Sequence, residues 1–456
     1  MLKHFKSLDN ISKYLVAAIL VVVPLFPKFP LIHIPATFVS IRLEDLLILS
    51  AFIVLVIYIL KEPKSFFRQK VNIAILLYLG VGIVSLAAAV FITKTVVPHI
   101  GLLHWARRVE YFIPFFLGYH VIKRNTRNLE FYLKILVAVI LYASVYGIGQ
   151  RYFNWPIVIT QNLEYSRGVA LRWVEGSHVN STFAGHYDLA TFLVITLPII
   201  VSLLVLLRGK LPKILLGTAF LSGLWLLVSS ASRVSLFSYM VSVTIALILV
   251  RKTKAIPVVI IVSLAFTLFS ANLVARYQRL IDVSFGRVKG VMHINYDYFA
   301  KSVLAADDML MRRSQPTPTP TPMPVFEDRS TNIRFNVEWP RAIRAFAKNP
   351  LLGTGYSSIT LATDNDYLRV IGELGIVGFF AFSLIMFRII SEYLKALPLG
   401  KIKGKVQRGF LAGMMGALPG LFINAVFIDI FEASKFAIVF WLLTGFSIAL
   451  LNNLEK

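Results

Sequence analysis

The sequence predicts an all-α, polytopic membrane protein of about twelve transmembrane helices, with a large outer loop between spans 9 and 10. Three observations carry that prediction. Of 456 residues, 57% are hydrophobic and 15% charged, against about 25% charged in soluble domains. The apolar residues gather in blocks long enough for a bilayer, which takes roughly 20 residues to cross. Alternate links between the blocks are short and basic, as cytoplasmic loops are. A soluble enzyme, a coiled coil and a disordered chain are excluded.

The blocks place spans at 14–29, 43–60, 71–92, 109–122, 129–149, 184–207, 214–229, 234–250, 255–273, 370–393, 409–427 and 436–451. The block at 109–122 is short, and 214–229 with 234–250 reads as two spans or one broken pair. The N-terminal run from Tyr14 lacks a small-x-small cleavage site, so it reads as a retained first span. With the N-terminus inside, the cytoplasmic links are Lys61–Lys70, Lys123–Arg127, Arg208–Lys213, Arg251–Lys254 and Lys395–Arg408, and both termini are cytoplasmic. The expected location is the inner or plasma membrane, with 1–456 as one integral membrane domain.

The formal charge is +24. In a soluble chain that would point to nucleic acid; here topology accounts for it, and no nucleic-acid partner is expected. The charge is not uniform across the bilayer. Of 22 basic residues assigned inside, 16 are Lys, whereas 17 of the 23 assigned outside are Arg. Arg presents a planar fork suited to phosphate oxygens, so the outer face predicts an anionic, phosphorylated ligand. Contact with lipid headgroups is the plainer alternative. The chain has no cysteine and shows neither a nucleotide-binding Gly-rich loop nor a His/Cys metal pattern, so no cofactor or metal is expected.

Two outer loops are long, 150–183 and 271–365. The second contains a stiff Pro-Thr spacer at 315–324, best read as a surface linker. Its carboxylate pairs, Asp307-Asp308 and Glu327-Asp328, read as solvated charges. Near its end, Phe335, Trp339, Ala342, Ile343 and Phe346 recur at helical spacing opposite Arg334, Glu338, Arg341 and Lys348. That predicts an amphipathic helix suited to a membrane interface, with Pro340 as a candidate break. No fixed-period repeat is evident, which argues against a transporter of inverted repeats.

Chemistry concentrates where this loop meets span 10: Asn349-Pro-Leu-Leu-Gly-Thr-Gly355, then Asp364-Asn365-Asp366-Tyr367, then Gly372-Glu373-Leu374-Gly375 and Gly378. The glycines recur on one helix side and predict close backbone approach. Glu373, an ionisable group just inside a span, is a candidate functional residue. Asp364 or Asn365 equally suits a helix N-cap.

This stretch resembles the signature of the O-antigen ligase and O-antigen polymerase superfamily of bacterial membrane glycosyltransferases: "hPllGvG", then a His and an Asn-like residue, nine residues, Gly, two residues and a small residue. Asp364 stands where the ligases have His. Ser232-Arg233 resembles the family's "SRG" segment, and Ser181 to Ala190, which holds His186 and Asp188, resembles its "GTFgNPNxLA" segment. Arg334 with Trp339 resembles its "R…W" element.

The resemblance implies glycan transfer at the outer face: an oligosaccharide on polyprenyl (undecaprenyl) diphosphate passes to the hydroxyl of a glycan or lipid-glycan acceptor. The partners are then that donor, that acceptor and the bilayer. Arg172, Arg233 and Arg334 are the expected diphosphate clamp, with Arg167 the rival of Arg172. Asp364 and Asn365 are the expected catalytic pair, with Asp364 orienting the acceptor hydroxyl away from the arginines because it would repel a diphosphate. His186 is the alternative base, and Asp188 and Glu373 are further candidates. Tyr367, Trp173 and Trp339 are candidates to stack on sugars, although interfacial aromatics need no such role. Arg107 and Arg108 read as an interfacial anchor or as additions to the outer anion site. A transporter or flippase of an anionic lipid-linked saccharide is the alternative, but it would place its charges at mid-membrane.

Overall fold

Each expected span overlaps a helix among the described residues. The computed structural model describes residues 2–28, 30–33, 40–158, 170–171, 178–268, 333–359 and 362–454. Its helices are α1 (Leu2–Leu25), α2 (Leu43–Lys61), the short α3 (Pro63–Phe67), α4 (Lys70–Phe91), α5 (Pro98–Arg124), α6 (Asn128–Tyr152) and α7 (His186–Leu206). They continue as α8 (Lys210–Ser229), α9 (Arg233–Leu249), α10 (Ala255–Thr267), α11 (Trp339–Lys348), α12 (Asp366–Lys395), α13 (Lys405–Ala425) and α14 (Ser434–Leu454). Two small antiparallel strand pairs, Pro30–His33 with Ser40–Arg42 and Ile157–Val158 with Ala170–Leu171, lie in the connections.

Nine helices among the described residues are long and apolar enough to cross a bilayer: α1, α2, α4, α6, α7, α8, α12, α13 and α14. The remaining expected spans fall on α9 and α10, which are apolar but shorter, and on α5. Helix α5 is 27 residues long, not the short block expected, and runs through Arg107, Arg108 and Glu110. It continues because those charges have partners: Arg107 pairs with Asp45 at 2.7 Å and Glu110 at 3.1 Å, and Arg108 pairs with Glu432. The residues expected as two spans or a broken pair form separate helices, α8 and α9, joined by a turn in which Ala231 has φ 52°.

Helix α14 is the axis of the bundle, with its whole apolar stretch buried, and it packs along α5. On the other side α13 packs against both α7 and α9. Glycines allow that approach: a Cβ on Gly413 would lie 2.4 Å from the Ile199 Cα, and one on Gly420 would lie 2.3 Å from the Ser238 carbonyl oxygen. The perimeter is apolar, with Leu49, Leu77, Phe237, Ile261 and Phe380 each more than half exposed, the surface a bilayer requires.

The glycine pattern does more than pack. Helix α12 is broken at Gly375, which has φ 66° and ψ −169°, a region open essentially to glycine alone. The break frees backbone groups on both sides, and the 350–355 loop satisfies them. Thr354 N–H donates to the Gly372 carbonyl at 3.0 Å and Gly355 N–H to the Glu373 carbonyl at 2.8 Å. In return, Ile376 N–H donates to the Pro350 carbonyl at 2.9 Å and Val377 N–H to that of Leu351 at 3.2 Å. Asn349–Gly355 is therefore stitched into the start of span 10 like an added strand. Gly375→Ala costs about 1–3 kcal/mol in backbone strain alone, and its Cβ would lie 2.3 Å from the Leu351 carbonyl oxygen. Thermal unfolding of the detergent-purified variant will show a clearly lowered midpoint; a wild-type midpoint would refute this account of the break.

The amphipathic segment forms as expected but is not split. Arg334–Glu338 make one π turn, and α11 follows directly with Pro340 in its first turn, where the missing N–H costs nothing. The 315–324 spacer and both loop carboxylate pairs lie outside the described residues.

Candidate functional site

The candidate site is built where α7, α9 and α12 begin, at the arginine-rich end of the bundle. The segment before α7 is a buried plug. Ser181, with φ 51°, donates through N–H to Gln150 Oε1 at 2.8 Å and accepts at its carbonyl from Gln150 Nε2 at 2.8 Å. Thr182 Oγ1 donates to the Pro24 carbonyl at 2.8 Å, and the buried Lys435 ammonium donates to the Pro24, Phe26 and Thr182 carbonyls. With its turn fixed, this segment presents His186, Tyr187 and Asp188 in the first turn of α7. The rings of His186 and His178 lie 4.3 Å apart. Asp188 is buried on the side of Lys28 and Lys435, where it acts on both cations.

Ser232 caps α9 by accepting from Ser235 N–H at 3.3 Å, which makes Arg233 the first helical residue. A polar chain then ties three helices together. Ser235 Oγ donates to Asn424 Oδ1 at 3.1 Å, and Asn424 Nδ2 donates to Thr191 Oγ1 at 3.0 Å. Tyr367 OH donates to the Phe422 carbonyl at 3.1 Å, adding α12. Asn365 caps α12, accepting from Leu368 N–H at 2.9 Å, the plainer of the two roles its position allows.

Arg334 and Asp364 meet directly. Asp364 Oδ2 accepts from Arg334 Nε at 3.0 Å and lies 2.8 Å from Nη2. The same Nη2 donates to Tyr187 OH at 3.3 Å, and the guanidinium stands 5.9 Å over the Tyr187 ring. This corrects the expectation that Asp364 sits apart from the arginines. A carboxylate at the edge of a low-dielectric site cannot stay ionised without a cation, and Arg334 is the cation it takes. Burial pushes the Asp364 carboxyl above its ordinary value and Asp429 adds to the rise, while Arg334 opposes it. Burial works against the Arg334 charge as well, but Tyr187 and Asp364 hold the guanidinium protonated.

The loop between α13 and α14 is the part of the site that sequence reasoning misses. Asp364 has φ 49°, an uncommon backbone state for a non-glycine residue. Asp429 brackets it: Oδ2 accepts from Thr363 N–H at 2.7 Å and Oδ1 from Asn365 N–H at 2.9 Å. The bracket is reciprocated, because the Asp366 carboxylate accepts from Ile430 N–H at 2.8 Å and Phe431 N–H at 3.2 Å. Behind the bracket, Arg369 donates to Asp429 at 2.9 Å and lies 3.7 Å from Glu373 and 3.6 Å from Glu432. Arg108 closes the network on Glu432 and on the Phe431 carbonyl. Glu432, in the loop, is held below its ordinary value by these two arginines, against the opposing effect of burial. The only trace of this loop in the sequence is two acids, Asp429 and Glu432, between apolar blocks at an otherwise basic end.

Of the expected residues, the structure brings Arg334 and Asp364 together, with Asn365 and Tyr367 beside them and Glu373 in the network behind. Asp188 faces a separate cluster with Lys28 and Lys435. Arg167, Arg172 and Trp173 lie outside the described residues. Trp339 packs on Phe335, with ring centroids 4.5 Å apart, and on Phe427 at 6.4 Å. Among the described residues, no group of three His, Cys, Asp or Glu side chains is placed to hold a metal ion.

Comparison with known proteins bears on this same stretch. No curated protein matches the chain. The family model described as O-antigen ligase matches residues 218–383, a stretch that takes in Arg233, Arg334, Asp364, Asn365, Tyr367 and Glu373. The α7 segment and Asp429 fall outside it. The family indicates a membrane enzyme of the glycosyltransferase type, acting between a lipid-linked saccharide and a glycan acceptor. Over residues 218–383 the chain is similar to the O-antigen ligase family, a match that supports the O-antigen ligase and polymerase superfamily.

Proposed function

We propose that the protein transfers an oligosaccharide from polyprenyl diphosphate to a glycan hydroxyl at the outer face of the membrane, as a repeat-unit polymerase rather than a ligase. The observation that carries this reading is the Arg334 guanidinium, fixed by Asp364 and Tyr187 where α7 and α12 begin. The acceptor oxygen bonds to the anomeric carbon, and the bond from that carbon to the diphosphate breaks with its electron pair staying on the diphosphate. Negative charge grows there, and a pre-positioned guanidinium stabilises it without reorganising. Arg233, the first residue of α9, and Arg172 or Arg167 are proposed to complete the clamp.

The preference for a polymerase rests on Asp364 in the position where ligases have His. Asp364 is bound to Arg334 and is proposed to orient it. Surface-polysaccharide assembly is the setting this chemistry serves, with donor and acceptor both presented at the outer leaflet.

Mass spectrometry of glycan made by membranes from cells whose only copy is this protein tests the reading. A ladder spaced by one repeat unit supports a polymerase. A single addition to a different carrier would replace polymerase with ligase. Lipid-linked sugar crossing vesicles without a new glycosidic bond would replace both with a flippase.

A further inference from the structure

Glu338 lies one turn beyond Arg334, at the end of the π turn in which Trp339 N–H donates to the Arg334 carbonyl. Such turns shift the register of a helix locally and are frequent at functional sites. The charged groups acting on Glu338 are Asp364 from the loop before α12, Asp429 from the loop between α13 and α14, and Arg334 and Arg341 from its own segment. Its Oε2 is closed to solvent and receives no hydrogen bond. Asp364 is placed differently: the Arg334 Nε–H and Nη2 both meet its Oδ2. A carboxylate oxygen committed to a guanidinium is a weak base. Glu338, raised by burial, Asp364 and Asp429 against the opposing pull of Arg334 and Arg341, and with no donor on its Oε2, is the stronger one.

We propose that Glu338 is the proton acceptor for the attacking glycan hydroxyl, and that Asp364 is a positioning residue for Arg334. This rests on the glycosyl-transfer reading above. As the hydroxyl oxygen bonds to the anomeric carbon, its proton passes to the Glu338 carboxylate. The electron pair of the breaking carbon–oxygen bond leaves with the lipid diphosphate, beside Arg334. The proton then returns to water when product departs, so the residue ends as it began. Burial and the repulsion of Asp364, opposed by Arg334, bring the Glu338 carboxyl up to about 7, where a general base is most effective near neutral pH.

The test uses membranes from cells of the source organism carrying wild type, Glu338→Gln, Glu338→Asp or Asp364→Asn as the only copy, so that native donor and acceptor are present. The rate of glycan formation is followed across neutral pH. Wild type is expected to lose activity about tenfold per pH unit on acidification below about 7, because the base is then protonated. Glu338→Gln lowers the plateau rate about 10²–10⁴-fold and flattens that acid limb, with the protein still present at wild-type level. Glu338→Asp restores part of the rate together with the limb. Asp364→Asn lowers the rate and keeps the limb. Wild-type rate and limb in Glu338→Gln overturn the proposal, as does an acid limb lost in Asp364→Asn but kept in Glu338→Gln. Wild-type membranes that form no new glycosidic bond would instead overturn the transfer reading itself.

Discussion

Arg334→Ala is expected to lower glycan formation about 10²–10³-fold, the usual cost of removing one pre-positioned charge or donor from a transition state. The fold should survive. Arg334 lies in a one-turn segment beside the bundle, and its side chain is held by Asp364 and Tyr187. Arg334→Lys keeps the charge but loses the fork that lets one side chain meet Asp364 and Tyr187 at once, so it should recover little of the rate. Glycan synthesis by membranes carrying each variant, normalised to protein present, measures this. Full activity in Arg334→Ala would remove the residue from the site.

Asp429→Ala should have the second large effect, on both stability and activity. Its carboxylate accepts two backbone N–H groups and the Arg369 guanidinium. Removing one partner of a buried pair typically costs about 3–5 kcal/mol, and Arg369 would be left to Glu373 and Glu432. The bracket around the positive-φ residue Asp364 would open at the same time. The thermal midpoint should fall, and the rate per folded molecule should fall further than the midpoint explains. Asp429→Asn keeps an acceptor for one N–H and should lie between. A variant with a lowered midpoint and an unchanged rate per folded molecule would make Asp429 purely structural.

The helices are legible in the sequence because hydrophobic length and positive-inside charge act residue by residue along the chain. The family motifs are legible as local strings, and the stitching of Asn349–Gly355 to Gly375 explains why those strings have their spacing. What sequence spacing cannot carry is the pairing of residues from different helices. Repulsion between Asp364 and a phosphate argues for a carboxylate far from the arginines, but its own need for a counter-ion is the stronger effect and brings it to Arg334. The arginine excess points, from sequence, to a ligand. In the fold, Arg107, Arg108 and Arg369 are bound to Asp45, Glu432 and Asp429, so part of that excess holds the bundle end together. Asp429 and Glu432 do not stand out in the chain, because nothing adjacent to them in sequence reveals that Arg369 and Arg108 come to meet them.

The central claim is that a lipid diphosphate is the leaving group of a glycosidic bond formed at the Arg334 site. The direct measurement is the ratio of undecaprenyl diphosphate released to glycosidic bonds formed by purified protein in vesicles, given an undecaprenyl-diphosphate-linked repeat unit from the source organism. The account predicts one released per bond formed, with both falling together in Arg334→Ala. Lipid-linked sugar moved intact between leaflets with no diphosphate released, or bond formation unchanged in Arg334→Ala, would contradict it.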